Sequence, residues 1–379
     1  MSGSAPSPAS GPSVLLLGGC GFVGRHLVAL LVQQGVSRIR VVDKLVPAMA
    51  LLSPDLKEAF TAPAVEHRQA DISRQSGVDK AFEGGGFDVV FNLTYDSITY
   101  GHEDDVYKQR IVDVATLCGM AAERQGVKRF VDLSTAQVYD SSEKASTESA
   151  TLKPWTKQAL LKLRAESILR EIPGLPLVVL RTASMYGPGD VNGLSPRILC
   201  AAVYKYLGEK MRFAWDRKLK TNTVHVRDVA AACWHVCLLA SPAPVYNLAD
   251  ATDASQGHLA AVLEEIFGIS TSFAGNMASC AMTVLGLRFV AEEFNEKHMV
   301  AWKDMCKAAG VGDTILTPYI DAELLAHNHL CVDGHEIETT GFAYKCPQLT
   351  AATLREQVAT YIAQGVFPPI EARRCVRGD

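Results

Sequence analysis

Short apolar, largely β-branched runs alternate with longer amphipathic stretches through the first half of this chain. Strands are predicted at 13–19, 38–43, 64–71, 87–94, 128–134 and 176–182, with helices at 22–35 and 106–126 among the segments between them. Parallel strands need crossover connections of about a dozen residues or more, which helices supply. The alternation therefore predicts an α/β fold, in which helices cover both faces of a doubly wound parallel sheet.

The strand–helix rhythm weakens after about residue 190 of the 379-residue chain. We therefore expect residues 14–190 to form the sheet domain and residues 191–379 to form mainly a smaller C-terminal lobe that completes a site at the carboxyl edge of the sheet. A later strand within about 223–250 can return to the sheet. Residues 1–13 are small, polar and proline-rich, which predicts a disordered tail.

A glycine-rich turn, GGCGFVG, joins the first strand to the first helix, with glycines at 18, 21 and 24. Glycine lets the backbone turn tightly and approach a pyrophosphate, which then lies at the positive end of the helix. The pattern is G-x-x-G-x-x-G, whereas the usual dinucleotide motif is G-x-G-x-x-G. A glycine-rich turn without a ligand is therefore the alternative, and the surrounding strand and helix favour the nucleotide.

Two acidic residues follow the next strands. Asp43 ends the second strand nineteen residues after Gly24. A carboxylate there can accept hydrogen bonds from a ribose diol and repels a 2′-phosphate, which favours NAD over NADP. The adjacent Lys44 weakens this preference slightly. Asp71 ends the third predicted strand, where it either meets the adenine or caps a helix.

Composition excludes several classes of protein. A net charge of −4 gives no basic excess, so we expect neither a nucleic-acid partner nor an anionic membrane partner. No apolar run approaches the ~20 residues of an integral membrane helix. The ten cysteines show no paired spacing, which favours free thiols and a cytoplasmic protein over a disulfide framework.

Six ordered motifs resemble those of the extended short-chain dehydrogenase/reductases, also called the NAD-dependent epimerase/dehydratase superfamily. They are GGCGFVG (18–24), FNLT (91–94), DLSTAQVY (132–139), RTASMYGPGD (181–190), TVHVRDVAAA (223–232) and TTGFAYKCPQLTAATLREQV (339–358). The resemblance covers nearly the whole sequence after the tail. It implies a Rossmann-type sheet domain with a substrate lobe, a small-molecule substrate, NAD as cofactor and a possible homodimer.

The resemblance also implies a set of cofactor-binding positions. In this sequence they are Gly18, Gly21, Phe22, Val23, Gly24, Asp43, Lys44, Asp71, Ile72, Leu93, Thr94 and Lys162.

Three positions correspond to the catalytic residues of that family. Thr135 stands where a Ser or Thr hydrogen-bonds the substrate oxygen, and a threonine that merely ends a strand is the alternative. Lys162 stands where a lysine binds the nicotinamide ribose and lowers a tyrosine pKa; an exposed helical lysine is the alternative, although Glu166 supports the register. Gln158, four residues before Lys162, replaces that tyrosine, and an amide cannot exchange a proton as a phenol does.

No other tyrosine is placed at the hydride by the sequence. Tyr95, Tyr100 and Tyr186 can in principle approach the site. Tyr206 and Lys210 fit Y-x-x-x-K, but they lie in the predicted lobe, so we interpret this match as chance.

Two departures from the family bear on the substrate. Ala136 and Gln137 replace the Asp–Glu pair that eliminates water in nucleotide-sugar dehydratases, so dehydration is not expected. Thr221 stands where many nucleotide-sugar enzymes place an arginine that clamps a diphosphate. The nearby cations Arg217, Lys218 and Lys220 can substitute for it, and HVRDVA is at least as similar to members acting on hydroxysteroid-like or other secondary alcohols.

Two further segments have more than one interpretation. The apolar stretch 277–290 is either a lid over a greasy substrate, a shallow membrane contact or a buried lobe helix, and we favour the last. His327, His329, Cys331 and His335 are close in sequence, but their spacing matches no strong zinc pattern, so no metal is predicted.

Two functions from different classes therefore remain open. The first is an NAD-dependent oxidoreductase or epimerase-type enzyme acting on a secondary alcohol, ketone or sugar-like substrate, with Thr135 or water supplying the proton. The second is a non-catalytic NAD-binding sensor or scaffold. The retained cofactor positions suit both, Gln158 favours the second, and the retained lobe favours the enzyme.

Overall fold

The computed structural model describes residues 11–370, except the side chains of Asp96, Ser97, Met282 and Leu285. Residues 1–10 of the expected tail lie outside this range. Ser13, the last residue of that tail, is instead the first residue of the sheet, where its backbone N–H donates a hydrogen bond to Asp88 at 2.9 Å. The tail as predicted is therefore too long at its C-terminal end.

Eleven strands lie within residues 11–370. They are β1 Ser13–Leu17, β2 Arg38–Asp43, β3 Val65–Gln69, β4 Val89–Asn92, β5 Arg129–Thr135, β6 Leu177–Thr182, β7 Ser184–Tyr186, β8 Met211–Phe213, β9 Thr223–His225, β10 Val245–Leu248 and β11 Thr271–Phe273.

Twelve α-helices lie in the same range. They are α1 Phe22–Gln33, α2 Pro54–Thr61, α3 Gln75–Phe82, α4 Asp104–Tyr107, α5 Val114–Arg124, α6 Lys157–Glu171, α7 Ser195–Leu207, α8 Val226–Leu238, α9 Gln256–Phe267, α10 Asn276–Leu285, α11 Leu287–Ala308 and α12 Ala351–Ala363.

The central sheet has seven parallel strands in the order β10-β6-β5-β4-β1-β2-β3. The predicted parallel sheet is confirmed, and β10 is the later strand that returns to it, beside β6. The strand order changes direction between β1 and β4: β2 and β3 follow on one side of β1, and the later strands follow on the other side. Ligands of such sheets bind beyond the carboxyl ends of the strands at this switch point.

Three apolar clusters hold the layers together. One packs α1 and α8 against one face of the sheet, and another packs α3, α5 and α6 against the opposite face. The third lies inside the lobe, among α7, α9, α11 and α12. The sheet is therefore covered on both faces, and the lobe has a core of its own beside the carboxyl edge.

Two predicted elements differ from the structure. The helix expected at 106–126 begins earlier, at Asp104, and contains a π-helical segment, Lys108–Asp113, between α4 and α5. A π-helical bulge inserts a residue without needing Gly or Pro, so hydrophobic periodicity does not reveal it. The strand expected at 64–71 ends at Gln69, so Asp71 lies in the turn that follows.

The apolar segment 277–290 is not a buried lobe helix, and that prediction is wrong. Gly286, at φ +96°, separates α10 from α11. Met277, Val284 and Phe289 are 91%, 88% and 67% exposed. These apolar side chains face outward, so the segment covers the lobe from outside.

The described cysteines, nine in number, are all free thiols, as the scattered spacing predicts. Within residues 11–370, no helix combines the length and the apolar character needed to cross a membrane.

Candidate active site

The glycine turn lies against the end of β4. Gly18 has φ +81°, and a Cβ added to it would stand 3.0 Å from backbone atoms of Leu93 and Thr94. A Cβ on Gly24 would lie 2.6 Å from the Gly18 carbonyl oxygen. Both positions therefore require glycine, because a side chain would force the helix away from the turn.

The N-terminus of α1 carries no negative charge of its own. Gly21 precedes Phe22 and Val23, and neither a side-chain cap nor an acidic residue occupies the first turn. The first backbone N–H groups of a helix lack partners within the helix and attract negative charge. This end of α1 consequently suits a pyrophosphate.

Asp43 is fixed beside the same turn. Its carboxylate accepts hydrogen bonds from the backbone N–H groups of Cys20 and Leu45, both at 3.0 Å. The negative charge predicted to meet a ribose is thus held at the glycine turn. The residues present fit the adenosine half of a dinucleotide.

Lys44 and Asp71 form an ion pair at 3.0 Å. Asp71 also accepts hydrogen bonds from the Ser73 backbone N–H and hydroxyl, at 3.1 and 2.7 Å, which lower its pKa together with Lys44, against the effect of partial burial. These hydrogen bonds fold the turn after β3 and do not cap α3, whose N-cap residue is Arg74; the contact of Asp71 with the adenine stays a prediction. Ile72 beside it is buried.

Gln158, Lys162 and Glu166 lie on successive turns of α6. They are only 7%, 6% and 1% exposed, so this polar face is directed into the protein. Thr156 caps the N-terminus of α6, because its hydroxyl accepts a hydrogen bond from the Ala159 backbone N–H at 3.1 Å. The interpretation of Lys162 as an exposed helical lysine is therefore wrong.

A buried hydrogen-bond network fixes the register of α6. Glu166 pairs with Arg181 of β6 at 2.6 and 3.1 Å and accepts the Ser134 hydroxyl of β5 at 2.5 Å. Arg181 also donates to the Tyr139 hydroxyl at 2.9 Å, and that hydroxyl donates to Asn247 of β10 at 2.7 Å. The network joins α6 to three strands of the sheet.

Gln158 makes a specific contact in the position of the family tyrosine. Its amide nitrogen donates a hydrogen bond to the Ile98 carbonyl oxygen at 2.8 Å, and the contact is buried. The side chain therefore holds the loop after β4. It presents no group that can gain or lose a proton at neutral pH.

Lys162 lies over the ring of Tyr95, with its ammonium 5.6 Å from the ring centre. Tyr95 is 1% exposed, and burial, followed by the nearby Asp132, raises its pKa well above the ordinary value. A phenol with such a pKa holds its proton throughout the neutral range.

The other two tyrosines occupy different surroundings. The Tyr100 hydroxyl hydrogen-bonds the Gln137 amide at 3.0 to 3.2 Å, and burial raises the pKa of this phenol to about 12. Tyr186 packs edge-on against His225 and donates to the Gln348 carbonyl oxygen at 3.3 Å. Tyr100 is thus the one of the three that contacts a residue of the cavity described next.

A cavity of about 320 Å³ lies between the carboxyl edge of the sheet and the lobe. Its wall on the sheet side includes Gln137, Trp155 and Ser184. Gln137 follows Thr135 by two residues, and its backbone N–H donates to the Thr135 hydroxyl oxygen at 3.3 Å. Thr135, Gln158 and Lys162 do not themselves line the cavity; its wall comes within two residues of Thr135, at Gln137, and within three residues of Gln158, at Trp155.

Residues 14–249 match the family described as NAD dependent epimerase/dehydratase. This match covers more than half of the chain. The protein belongs to the NAD dependent epimerase/dehydratase family. The predicted family, the Rossmann-type fold and the NAD cofactor agree with this membership.

Curated members of the family show modest identity to this chain. The 3beta-hydroxysteroid-dehydrogenase/decarboxylase isoform 1 of Arabidopsis thaliana is 25% identical over 238 residues, which cover 59% of this chain and 51% of that protein. The UDP-glucose 4-epimerase 2 of Arabidopsis thaliana is 26% identical over 328 residues, covering 78% and 93%. This chain thus spans about half the length of the hydroxysteroid relative and most of the epimerase.

Solved structures of the family share the fold over nearly the whole chain. The UDP-N-acetylglucosamine 4-epimerase from Methanobrevibacter ruminantium M1, in complex with UDP-N-acetylmuramic acid, has a TM-score of 0.66 at 18% identity and covers 93% of this chain and 99% of its own. The dTDP-glucose 4,6-dehydratase DesIV from Streptomyces venezuelae, with NAD and TYD bound, has a TM-score of 0.66 at 18% identity, covering 95% and 100%.

The three basic residues near Thr221 differ in their position relative to the cavity. Of the three basic residues that could replace the diphosphate-binding arginine, only Lys220 lines the cavity, beside Thr221. The Lys220 ammonium forms an ion pair with Asp253. Arg217 and Lys218 are exposed and do not line the cavity.

Sequence reasoning missed two cavity residues, Arg197 and Arg212. Both lie outside the family motifs, and the only signal in the sequence was a basic residue on an otherwise apolar helical face of α7.

Among residues 11–370 there is no group of three or more His, Cys, Asp and Glu side chains arranged to hold a metal ion.

Proposed function

We propose that this protein binds NAD(H) and catalyses reversible oxidation of a secondary alcohol to a ketone, as an oxidoreductase or epimerase-type enzyme without the family tyrosine. The observation that carries the proposal is the cavity of about 320 Å³ beside the Thr135 turn and α6. A sensor of the cofactor alone would need no such cavity. The glycine turn, Asp43 and buried Lys162 support the cofactor half of the site.

When bound, NAD supplies the hydride acceptor of such a reaction. The residues of this chain would bind and orient the cofactor. The α1 N-terminus and Asp43 would hold its adenosine half, and Lys162 would hold its nicotinamide ribose. Thr135 would donate or accept a hydrogen bond at the substrate oxygen. Gln158 exchanges no proton, so the proton moves through the Thr135 hydroxyl to water.

A non-catalytic NAD-binding protein is the second candidate. It is favoured by the hydrogen bond from Gln158 to the Ile98 carbonyl, which gives this position a structural role in place of an acid–base role. A cytoplasmic location and a homodimer stay predictions under both candidates.

The experiment compares three proteins: wild type, Gln158→Tyr and Gln158→Met. NADH consumption at 340 nm is followed with a panel of ketones, and NAD reduction with the matching secondary alcohols. General acid–base assistance contributes roughly 10²–10⁴-fold in rate, so we expect slow wild-type turnover that Gln158→Tyr increases. Gln158→Met is the matched control because it removes the same amide without adding a phenol.

Lys162→Ala should weaken NAD(H) binding in all backgrounds, because the ammonium also holds the ribose. All variants must keep the wild-type melting temperature, since a buried tyrosine can overpack the site. Brisk wild-type turnover that Gln158→Tyr abolishes would show that another group already supplies the proton. Undetectable turnover in wild type and Gln158→Tyr alike, with normal NAD(H) binding, would favour the non-catalytic candidate.

A further inference from the structure

Arg197 faces the cavity, where Cys200 and Tyr100 are its electrostatic neighbours among residues 11–370. It lies near the start of α7, and Cys200 and Tyr204, three and seven residues further on, line the same wall. Such spacing places all three side chains on one face of the helix. The Arg197 guanidinium forms no hydrogen bond or ion pair with any part of the chain that the structure describes.

The cavity wall carries positive charge only. Besides Arg197 it contains Arg212 at an exposed position and Lys220, which Asp253 neutralises from outside the wall. His298 is neutral at physiological pH, because burial lowers its pKa to about 4. No Asp or Glu is among the described residues that line the cavity.

Most of the remaining wall is apolar. Aromatic and aliphatic side chains come from β8 and the segment after it, from α11 and from the stretch after residue 320, and they include Phe213, Trp215, Leu219, Val290, Leu325 and Leu330. A wall of this kind buries an apolar ligand body, at roughly 25 cal/mol for each Å² of apolar surface removed from water.

We propose that Arg197 is the specificity-determining residue for an amphiphilic anion, a substrate whose carboxylate or phosphate pairs with the guanidinium while its apolar body fills the cavity. The assignment rests on the proposed function, of which it names the substrate class. A partly buried arginine loses hydration, and burial lowers its pKa. Only a charged hydrogen-bond partner compensates such a group.

The apolar wall favours an amphiphile over a nucleotide diphosphate. A diphosphate carries several charges and is usually clamped by more than one cation. Of the other basic residues in this wall, Lys220 is already paired and Arg212 is exposed to solvent, so Arg197 is the one partly buried cation that lacks an ion pair among the described lining residues. A single carboxylate or phosphate needs one guanidinium, which can bind it through two parallel hydrogen bonds.

The test measures binding by calorimetry with decanoate, decyl phosphate, 1-decanol and UDP, so it depends on neither NAD nor turnover. Charge-assisted hydrogen bonds typically change affinity by about 10- to 100-fold. We expect the wild type to bind one of the two anionic amphiphiles at least tenfold more tightly than 1-decanol. Whichever of the two anions binds more tightly indicates whether the substrate carries a carboxylate or a phosphate.

Three variants separate the guanidinium from the general charge of the protein. Arg197→Met should remove the preference for the anion and leave 1-decanol binding unchanged, whereas Arg197→Lys should retain part of it. Arg124→Gln, which removes an exposed arginine of α5 that does not line this cavity, should have no effect. Arg197→Met should also keep or raise the melting temperature of the ligand-free protein, because it removes an unpaired, partly buried charge.

Several results would overturn the proposal. Equal wild-type affinity for decanoate, decyl phosphate and 1-decanol would do so, as would an anion preference that survives in Arg197→Met. A lower melting temperature for Arg197→Met would assign the arginine a structural role. Tighter binding of UDP than of either amphiphile, lost in Arg197→Met, would make Arg197 a nucleotide-phosphate residue. Failure of the proposed oxidoreductase activity would leave these binding results standing.

Discussion

Asp132 in the middle of the sheet offers a quantitative test of the buried site. It is fully buried on β5, opposite Asn92 of β4, whose side-chain amide donates to one carboxylate oxygen at 2.7 Å. The other oxygen lies near the Tyr95 hydroxyl without a well-directed hydrogen bond. Burial, with a contribution from Glu166, raises the pKa of Asp132 from 3.8 to about 7, although Asn92 and Lys162 act in the opposite direction.

The magnitude follows from proton linkage. The folded protein keeps the Asp132 proton up to about pH 7, whereas the unfolded chain releases it near pH 3.8. The contribution of this retained proton to the free energy of unfolding is fully present below pH 3.8 and is lost as the pH rises through 7. Each pH unit between these values removes about 1.4 kcal/mol from the free energy of unfolding, so the whole range amounts to about 4 kcal/mol.

Asp132→Asn removes the titration and keeps an oxygen for the Asn92 amide to donate to. We therefore expect the free energy of unfolding of the variant, minus that of the wild type, to increase by about 2–3 kcal/mol between pH 5 and pH 7 and to stay constant from about pH 8. Urea denaturation of both proteins at pH 5, 6, 7 and 8 measures this difference. All other titrating groups are shared by the two proteins, so most of their contributions cancel.

A difference that stays constant between pH 5 and pH 8 would refute the reasoning, since it would mean that Asp132 ionises at its ordinary pKa despite burial. A carboxylate whose pKa is lowered in the folded protein would give the same constant difference, because Asp132 would then be ionised in both states throughout this pH range. In that case the Lys162 ammonium would outweigh burial at this position.

Two further predictions concern the cofactor and the reaction. Asp43 should make the protein bind NAD(H) at least tenfold more tightly than NADP(H), a difference of ~1.4 kcal/mol, and Asp43→Ala should reduce this difference in affinity. Calorimetric titration with both cofactors measures the two affinities, and equal wild-type affinities would contradict the role given to Asp43. With Ala136 and Gln137 in place of an acidic pair, the purified protein should eliminate no water from dTDP-glucose or a comparable nucleotide sugar; a ketosugar product formed at a normal turnover rate would show this interpretation to be wrong.

The sheet was predictable because its signals are local. The β2 strand has the predicted bounds, and the return of a strand within 223–250 is confirmed by β10. Strand length and apolar runs depend on a few neighbouring residues, so they can be read without knowledge of the tertiary fold. The π-helical segment between α4 and α5 could not be read in this way, because it changes the hydrogen bonding and leaves the apolar pattern intact.

The cavity was predictable only in outline. That a lobe would meet the carboxyl edge follows from the fold, but the charge of the cavity depends on pairs distant in sequence. Lys220 is neutralised by Asp253, thirty-three residues later, while the Arg197 guanidinium has neither a hydrogen bond nor an ion pair within residues 11–370. Neither fact can be inferred from the sequence. The family motif therefore indicated the cations around Thr221 and gave no indication of Arg197. The exposure of α10 was missed for the same reason, because apolar composition does not reveal which side of a helix is covered.

The network that joins Glu166 to Asn247 also orders the events of folding. The α6 helix carries Gln158 and Lys162, yet the hydrogen bonds that set its register end on a strand some eighty residues further along the chain. During synthesis at roughly 5–20 residues per second, several seconds pass after α6 leaves the ribosome before β10 exists. For that interval the hydrogen bond from the Tyr139 hydroxyl to Asn247 cannot form. The glycine turn needs only β1, β2, β4 and α1, so it can be complete before the face of α6 that carries Gln158 and Lys162 has its final hydrogen bonds.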